Sequence, residues 1–251
     1  MLIINRSFFF LHTFLFLLGF STNTASATVF NLLNNCPYTV WPASLTGNGP
    51  PLLTQSNHTL PHGSSLTLNP PAGWSGRFWA RTACNFNPKG TGTCSTGDCG
   101  GLTCTGGGIP PVSLVEFTLN GANGMDFYDV SLVDGYNVGI GVKPINGGIG
   151  NCEYAGCVED LNGSCPPELR VVDPNRSGAV IACKSACTAF NKPEYCCTEN
   201  YGTPQTCTPT KYSKLFKNAC PTAYSYAYDD ATSTCTCTGS DYLITFCPST
   251  L

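Results

Sequence analysis

Apolar and polar residues alternate in short runs over the first half of the chain, with turn-forming residues between the runs. Thr28 to Trp41 carries Val29, Phe30, Tyr38, Thr39, Val40 and Trp41, broken by the turn pair Asn34-Asn35. Leu66-Thr67-Leu68-Asn69 alternates and is stopped by Pro70-Pro71. Arg77-Phe78-Trp79-Ala80-Arg81-Thr82 reads as a half-buried strand, and Ser113 to Leu119 as another. Asp126 to Val133 and Tyr136 to Val142 follow, separated by Asp134-Gly135, a strong turn signal. Short strands joined by Gly, Pro and Asn turns predict a β-sandwich or barrel.

The pattern changes after Pro144. Residues 150–221 hold nine cysteines and three short helical patterns. Ser177 to Phe190 places Cys183, Cys187 and Phe190 on one face at helical spacing, and Lys192 to Cys197 allows a single turn. Tyr212, Leu215, Phe216 and Ala219 form a stripe along a helix over Lys211 to Ala219, with Thr208 as cap and Pro209 at the first helical position. Tyr242-Leu243-Ile244-Thr245-Phe246 reads as a final strand that returns to the first sheet. The expected fold is therefore mainly β. Residues 28–144 and 238–251 form the sandwich, and 145–237 form a disulfide-rich insertion carrying short helices and loops.

The apolar run Phe8 to Phe20 follows the cation Arg6 and precedes Ala25-Ser26-Ala27, a small-x-small cleavage pattern. The run is the length of a signal h-region and too short for a bilayer span. Residues 1–27 are read as a signal peptide, cut after Ala25 or Ala27. All 17 cysteines lie beyond it, which in an oxidising compartment reads as a disulfide framework. No second long apolar run and no retention signal are present, so secretion to the extracellular space is expected, with no membrane span. Three sequons, at Asn57, Asn162 and Asn175, sit in polar, turn-like stretches and are candidate glycosylation sites.

Charge is sparse. Fifteen acids face 12 bases, a net charge of −3. No Lys/Arg cluster exists to follow a phosphate backbone, which excludes a nucleic-acid binder. The 27 Gly and 19 Pro do not imply disorder, because 14 Phe, 11 Tyr and 3 Trp supply enough apolar area for a core. His58 and His62 lie in a Pro/Gly/Ser-rich loop with no nucleophile elbow, and Gly106-Gly107-Gly108 lacks the Gly-Lys-Ser/Thr of a phosphate loop. No cofactor and no metal are expected.

Residues Gly90 to Cys104 read GTGTCSTGDCGGLTC, with Cys94, Asp98, Cys99 and Cys104 at the spacing of the thaumatin-family signature. GRFWARTAC, FYDVSLVDGYNV, ACKSACTAF, PEYCC, KYSKLFKNACP, YSYAYDD and YLITFCP extend the likeness along the whole chain after residue 27. The chain thus resembles the thaumatin-like plant defence proteins. That resemblance implies eight bridges: Cys36–Cys247, Cys84–Cys94, Cys99–Cys104, Cys152–Cys237, Cys157–Cys220, Cys165–Cys183, Cys187–Cys196 and Cys197–Cys207. Cys235 is left over. It stands two residues from Cys237, so in a strand both point to one face. Its readings are a buried free thiol, a mixed disulfide, a dimer bridge, or exchange with the Cys152–Cys237 pair.

The resemblance also implies a cleft between the sandwich and the insertion, lined by Arg77, Glu116, Asp129, Asp134 and Asp229. Four acids around one cation raise the pKa of at least one acid, because like charges resist joint ionisation. A protonated acid beside an ionised one is what glycoside hydrolysis needs. Glu116 is then the proton donor, and Asp129 or Asp134 the base or nucleophile. Asp129 and Asp134 are an odd number apart, so both can face one cleft only if the strand ends or bulges between them. Phe127 and Tyr128 are candidate stacking partners for sugar rings. The resemblance implies a monomeric, antifungal protein of the apoplast that binds β-1,3-glucan of fungal walls, with weak or no hydrolysis. The alternatives are a true endo-β-1,3-glucanase and a surface-acting inhibitor or stress protein.

Overall fold

The computed structural model describes residues 28–249, apart from 48, 50, 51, 55–58, 147 and 175–177. The signal-peptide segment 1–27 and the sequons at Asn57 and Asn175 lie outside the described residues.

Among the described residues fourteen strands follow in chain order: β1 (Phe30–Asn34), β2 (Val40–Thr46), β3 (Ser65–Leu68), β4 (Ser75–Thr82), β5 (Asn85–Phe86), β6 (Gly92–Thr93), β7 (Leu114–Thr118), β8 (Asp126–Ser131), β9 (Ile140–Ile145), β10 (Ala155–Gly156), β11 (Arg170–Asp173), β12 (Ala179–Cys183), β13 (Cys235–Cys237) and β14 (Asp241–Phe246). They build two five-stranded sheets, ordered β10-β9-β14-β1-β3 and β13-β8-β7-β4-β2, and two small hairpins, β11-β12 and β5-β6. The last strand returns to the first: β14 runs parallel to β1 and antiparallel to β9. The 145–237 segment is not separate from the sandwich, because β10 and β13 each extend one of its sheets.

Alternation sorts the second sheet's side chains into two faces. Phe78, Phe117, Tyr128 and Val130 point inward and are buried. They meet Phe30 and Tyr242 of the first sheet in a cluster of rings, with Phe30–Phe117 centroids 4.6 Å apart and Phe117–Tyr242 4.9 Å in an edge-to-face pair. Each such pair adds about 0.5–1.5 kcal/mol beyond the area it buries. Arg77, Glu116 and Asp129 take the opposite parity and face outward. Beside them Trp79, Leu114, Ala43, Val112 and Cys104 form a second, smaller apolar cluster on the same outer face.

Eight disulfides join Cys36–Cys247, Cys84–Cys94, Cys99–Cys104, Cys152–Cys237, Cys157–Cys220, Cys165–Cys183, Cys187–Cys196 and Cys197–Cys207. Cys235 is a buried free cysteine on β13, paired in register with Tyr128. Burial pushes its thiol pKa up, which keeps it neutral and unreactive.

The helices are short: α1 (Leu161–Ser164), α2 (Ala186–Phe190), α3 (Pro193–Cys196) and α4 (Lys211–Ala219). Two expectations need correction. The helix expected over Ser177–Phe190 begins only at Ala186, and Ala179–Cys183 is a strand. Its Val180 pairs with Val172 across a bulged hairpin, a pairing that suits β-branched side chains better than a helix does. For α4 the cap is Thr210, not Thr208. Thr210 Oγ1 accepts from the Ser213 backbone N–H at 3.4 Å, and Ser213 Oγ accepts from the Thr210 N–H at 2.8 Å.

Candidate functional site

Register places the outward polar residues in one row. Leu45 on β2 stands opposite Arg77 on β4, Arg77 opposite Glu116 on β7, and Glu116 opposite Asp129 on β8. Directly opposed residues have Cβ atoms about 4.5–5.5 Å apart. The guanidinium and the two carboxyls are therefore neighbours by strand pairing alone. The row lies in a groove whose two arms meet at Arg77, Glu116 and Asp129. One arm, of about 400 Å³, runs past Gly47, Ser75, Thr118 and Phe127. The other, of about 360 Å³, runs past Ser131, Asp134, Tyr224, Ala227 and Asp230.

The walls come from two segments outside the sheet. The stretch Gly106–Gly108 lies directly on Arg77 and Trp79. A Cβ at Gly107 would stand 2.8 Å from Arg77 Nη2, and one at Gly108 2.6 Å from Trp79 Nε1. At Gly108, against the rigid indole, glycine permits this close approach; at Gly107 the neighbour is the flexible tip of Arg77. On the other side, Tyr224 is laced to the end of β8. Its N–H donates to Val130 O at 2.8 Å, and its carbonyl accepts from Leu132 N–H at 2.8 Å. This fixes the segment that carries Asp230 over the second arm.

Asp134 reaches the groove because β8 ends at Ser131. Leu132 to Gly135 then form a turn closed by Gly135 N–H to Leu132 O at 2.9 Å, with Gly135 at φ +97°. The turn resets the parity that a straight strand would have imposed. Two other expected cleft residues lie elsewhere. Tyr128 has inward parity, is buried in the ring cluster, and donates its hydroxyl to Glu153 O at 2.6 Å. Phe127, of outward parity, lines the groove. Asp229 lines neither arm. Its carboxylate pairs with Lys217 Nζ at 3.0 Å and accepts from the Ser225 N–H and hydroxyl at 3.0 and 2.8 Å. The acid that lines the groove is its neighbour, Asp230, held by the Tyr224 hydroxyl at 2.9 Å. The sequence reading thus missed Asp230, Tyr224 and Gly107. Strand parity alone could have separated Phe127 from Tyr128.

The electrostatics follow from this crowding. Burial, then the charges of Glu116 and Asp230, push the Asp129 carboxyl from 3.8 up to about 8. One of its oxygens, Oδ1, is buried with no hydrogen-bond partner. Burial also raises Glu116; Arg77 opposes that rise and Asp134 adds to it. Among the described residues, the side chains of Arg77, Glu116, Asp129 and Asp134 make no hydrogen bond or ion pair with the protein. All four residues are only partly buried, so the row faces whatever fills the groove.

Asn162, the one sequon inside the described residues, is tied into the fold. Its Nδ2 donates to Asn137 O at 3.1 Å.

Two stacked sheets, eight bridges and an acidic groove on the outer face of one sheet define a disulfide-stapled β-sandwich of the thaumatin type. Residues 34–248 match the Thaumatin family, and the chain belongs to that family. It is 62% identical over 222 residues to "Pathogenesis-related protein 5" of Arabidopsis thaliana, covering 88% of this chain and 91% of that one. It is 49% identical over 228 residues to a protein of Prunus avium named "Glucan endo-1,3-beta-glucosidase", covering 89% and 92%. A β-1,3-glucanase domain from Clostridium beijerinckii shares the fold, with a TM-score of 0.52 at 10% identity, over 87% of this chain and 97% of that one. Among the described residues no helix is long and apolar enough to cross a membrane.

Proposed function

We propose that this is a secreted, monomeric plant defence protein whose acidic groove binds β-1,3-glucan of fungal walls. The observation that carries this reading is the unpartnered row Arg77–Glu116–Asp129, set in a two-armed groove with Asp134 and Asp230. A neutral polysaccharide offers hydroxyls that both donate and accept, which suits carboxyls and a guanidinium together. The two arms meeting at the row suit a chain that passes through rather than a single sugar. Phe127 supplies an apolar wall on which a ring can rest. The Prunus avium relative named for β-1,3-glucan chemistry supports the choice of polymer.

Binding with little turnover is the first reading. A second, true hydrolysis, is favoured by one observation: Asp129 holds its proton up to about 8 beside a second carboxyl. In that reading Asp129 protonates the glycosidic oxygen as the bond breaks. Glu116, beside Arg77 and so the easier of the pair to ionise, activates water or attacks the anomeric carbon. This exchanges the roles that the sequence alone suggests.

Laminarin pull-down and reducing-sugar release, on wild type and Glu116→Gln, test both readings. Binding without release supports the first. Release abolished in a folded Glu116→Gln supports the second. Neither binding nor release would overturn the glucan reading altogether.

A further inference from the structure

A second groove lies at the far end of β4 from Arg77. Arg77 and Thr82 are five residues apart on this strand, about 16 Å at the usual rise. Two adjoining cavities, of about 370 and 260 Å³, share Tyr38, Asn137, Asp160 and Asn162. Together they exceed the lower end, about 300 Å³, of the range for small-molecule sites. No lining residue is shared with the acidic groove.

Its chemistry is specific. Tyr38 is 45% exposed, and Trp41 on the same wall is partly exposed. The Trp41 indole N–H has no hydrogen-bond partner among the described residues. Asn162 Oδ1 is buried without a partner, while its Nδ2 is fixed on Asn137 O and so sets the amide's orientation. The charges narrow the choice further. Among the described residues no Lys, Arg or His lines either cavity, and Asp160 is the single carboxylate there. Its Oδ1 already accepts from the Asn162 N–H at 3.1 Å. An anion would meet Asp160 with no cation to balance it. A purely apolar ligand would leave the Trp41 indole N–H unmet. A neutral polyol with apolar ring faces answers both aromatic walls and the Trp41 N–H.

We propose that this groove binds a neutral oligosaccharide, with Tyr38 and Trp41 against sugar rings and the Trp41 indole N–H donating to a sugar oxygen. The proposal stands apart from the acidic groove and does not need its function.

The fold supplies a reporter. The chain has 3 Trp, of which Trp74 and Trp79 are 1% and 0% exposed, so acrylamide quenching reads Trp41. The mature protein is titrated with laminarihexaose, cellohexaose and hexagalacturonate at fixed ionic strength. At least one neutral hexasaccharide should lower the quenching constant saturably, and hexagalacturonate should not. Glu116→Gln should keep the effect. Tyr38→Ala should weaken it by roughly three- to tenfold, the worth of one aromatic contact. If Tyr38→Ala unfolds, Tyr38→Leu, which retains apolar bulk, replaces it. No protection by either neutral sugar at millimolar concentration would overturn the proposal, as would equal protection by hexagalacturonate. So would protection lost in Glu116→Gln and kept in Tyr38→Ala, which would put the sugar in the acidic groove.

Discussion

Replacing Asp129 by Asn should stabilise the protein increasingly as the pH rises. In the fold the Asp129 carboxyl titrates at about 8, against 3.8 as its ordinary value. The folded state binds this proton more tightly than the unfolded chain. On this group's account stability is therefore greatest below 3.8 and falls as the pH rises, the loss being complete above about 8. At about 1.36 kcal/mol per pH unit of separation, the whole window amounts to on the order of 5 kcal/mol. That is a ceiling, because the groove is open to water, which screens the ionised form; about 1–3 kcal/mol is the expected measurable part. Asn keeps the shape without the titration. Its own unmet hydrogen bonds are the same at every pH and cancel in the comparison. The assay is thermal unfolding of both proteins, disulfides intact, at about pH 4 and about pH 8. For a domain of this size each kcal/mol moves Tm by about 2–4 °C, so the Asn protein should gain about 2–12 °C relative to wild type between the two conditions. A gap that does not change with pH, or that closes as the pH rises, would refute the placement of Asp129 as a buried carboxyl crowded by like charge.

Three further outcomes follow from the same geometry. Gly107→Ala puts a methyl 2.8 Å from Arg77 Nη2. The flexible guanidinium should move aside, so laminarin affinity should fall with little change in Tm. Lys217→Ala removes the 3.0 Å pair with Asp229 and the Lys217 Nζ bonds to Ala223 O and Ser233 Oγ at 3.0 and 2.9 Å. It should cost about 1–3 kcal/mol, read as a lower Tm, and weaken glucan binding by loosening the segment that carries Asp230. Thiol titration of Cys235 should find no reactive thiol in the native protein and one per chain in guanidinium, because the side chain is 5% exposed. A dimer on non-reducing gels, or no thiol in denaturant, would contradict that.

Much of this was legible in the sequence, for a physical reason. Alternation in Arg77–Thr82 and Ser113–Leu119 marks which face each residue takes, and pairing then puts Arg77 beside Glu116 without further information. The Asp134-Gly135 signal likewise foretells the turn that returns Asp134 to the groove. Parity was also enough to set Tyr128 inside, had it been applied there. Other features depend on contacts that no local period encodes. Cys183, Cys187 and Phe190 fall at helical spacing, yet Cys183 belongs to a strand, because Val180 has a partner on β11. Asp229 and Asp230 are adjacent and chemically alike. Which one lines the groove is decided by Lys217, on a helix twelve residues upstream, claiming Asp229. The role of Gly107 is set by an arginine thirty residues away, and a run of three glycines does not announce it.

The central claim is that the row Arg77–Glu116–Asp129 is the ligand-contacting floor of the groove. A crystal structure of the mature protein with laminarihexaose tests it most directly. The account predicts sugar density across both arms, with hydroxyls in hydrogen-bond contact with Arg77, Glu116 and Asp129. Sugar bound only elsewhere on the surface, with the row left to solvent in saturated crystals, would contradict it.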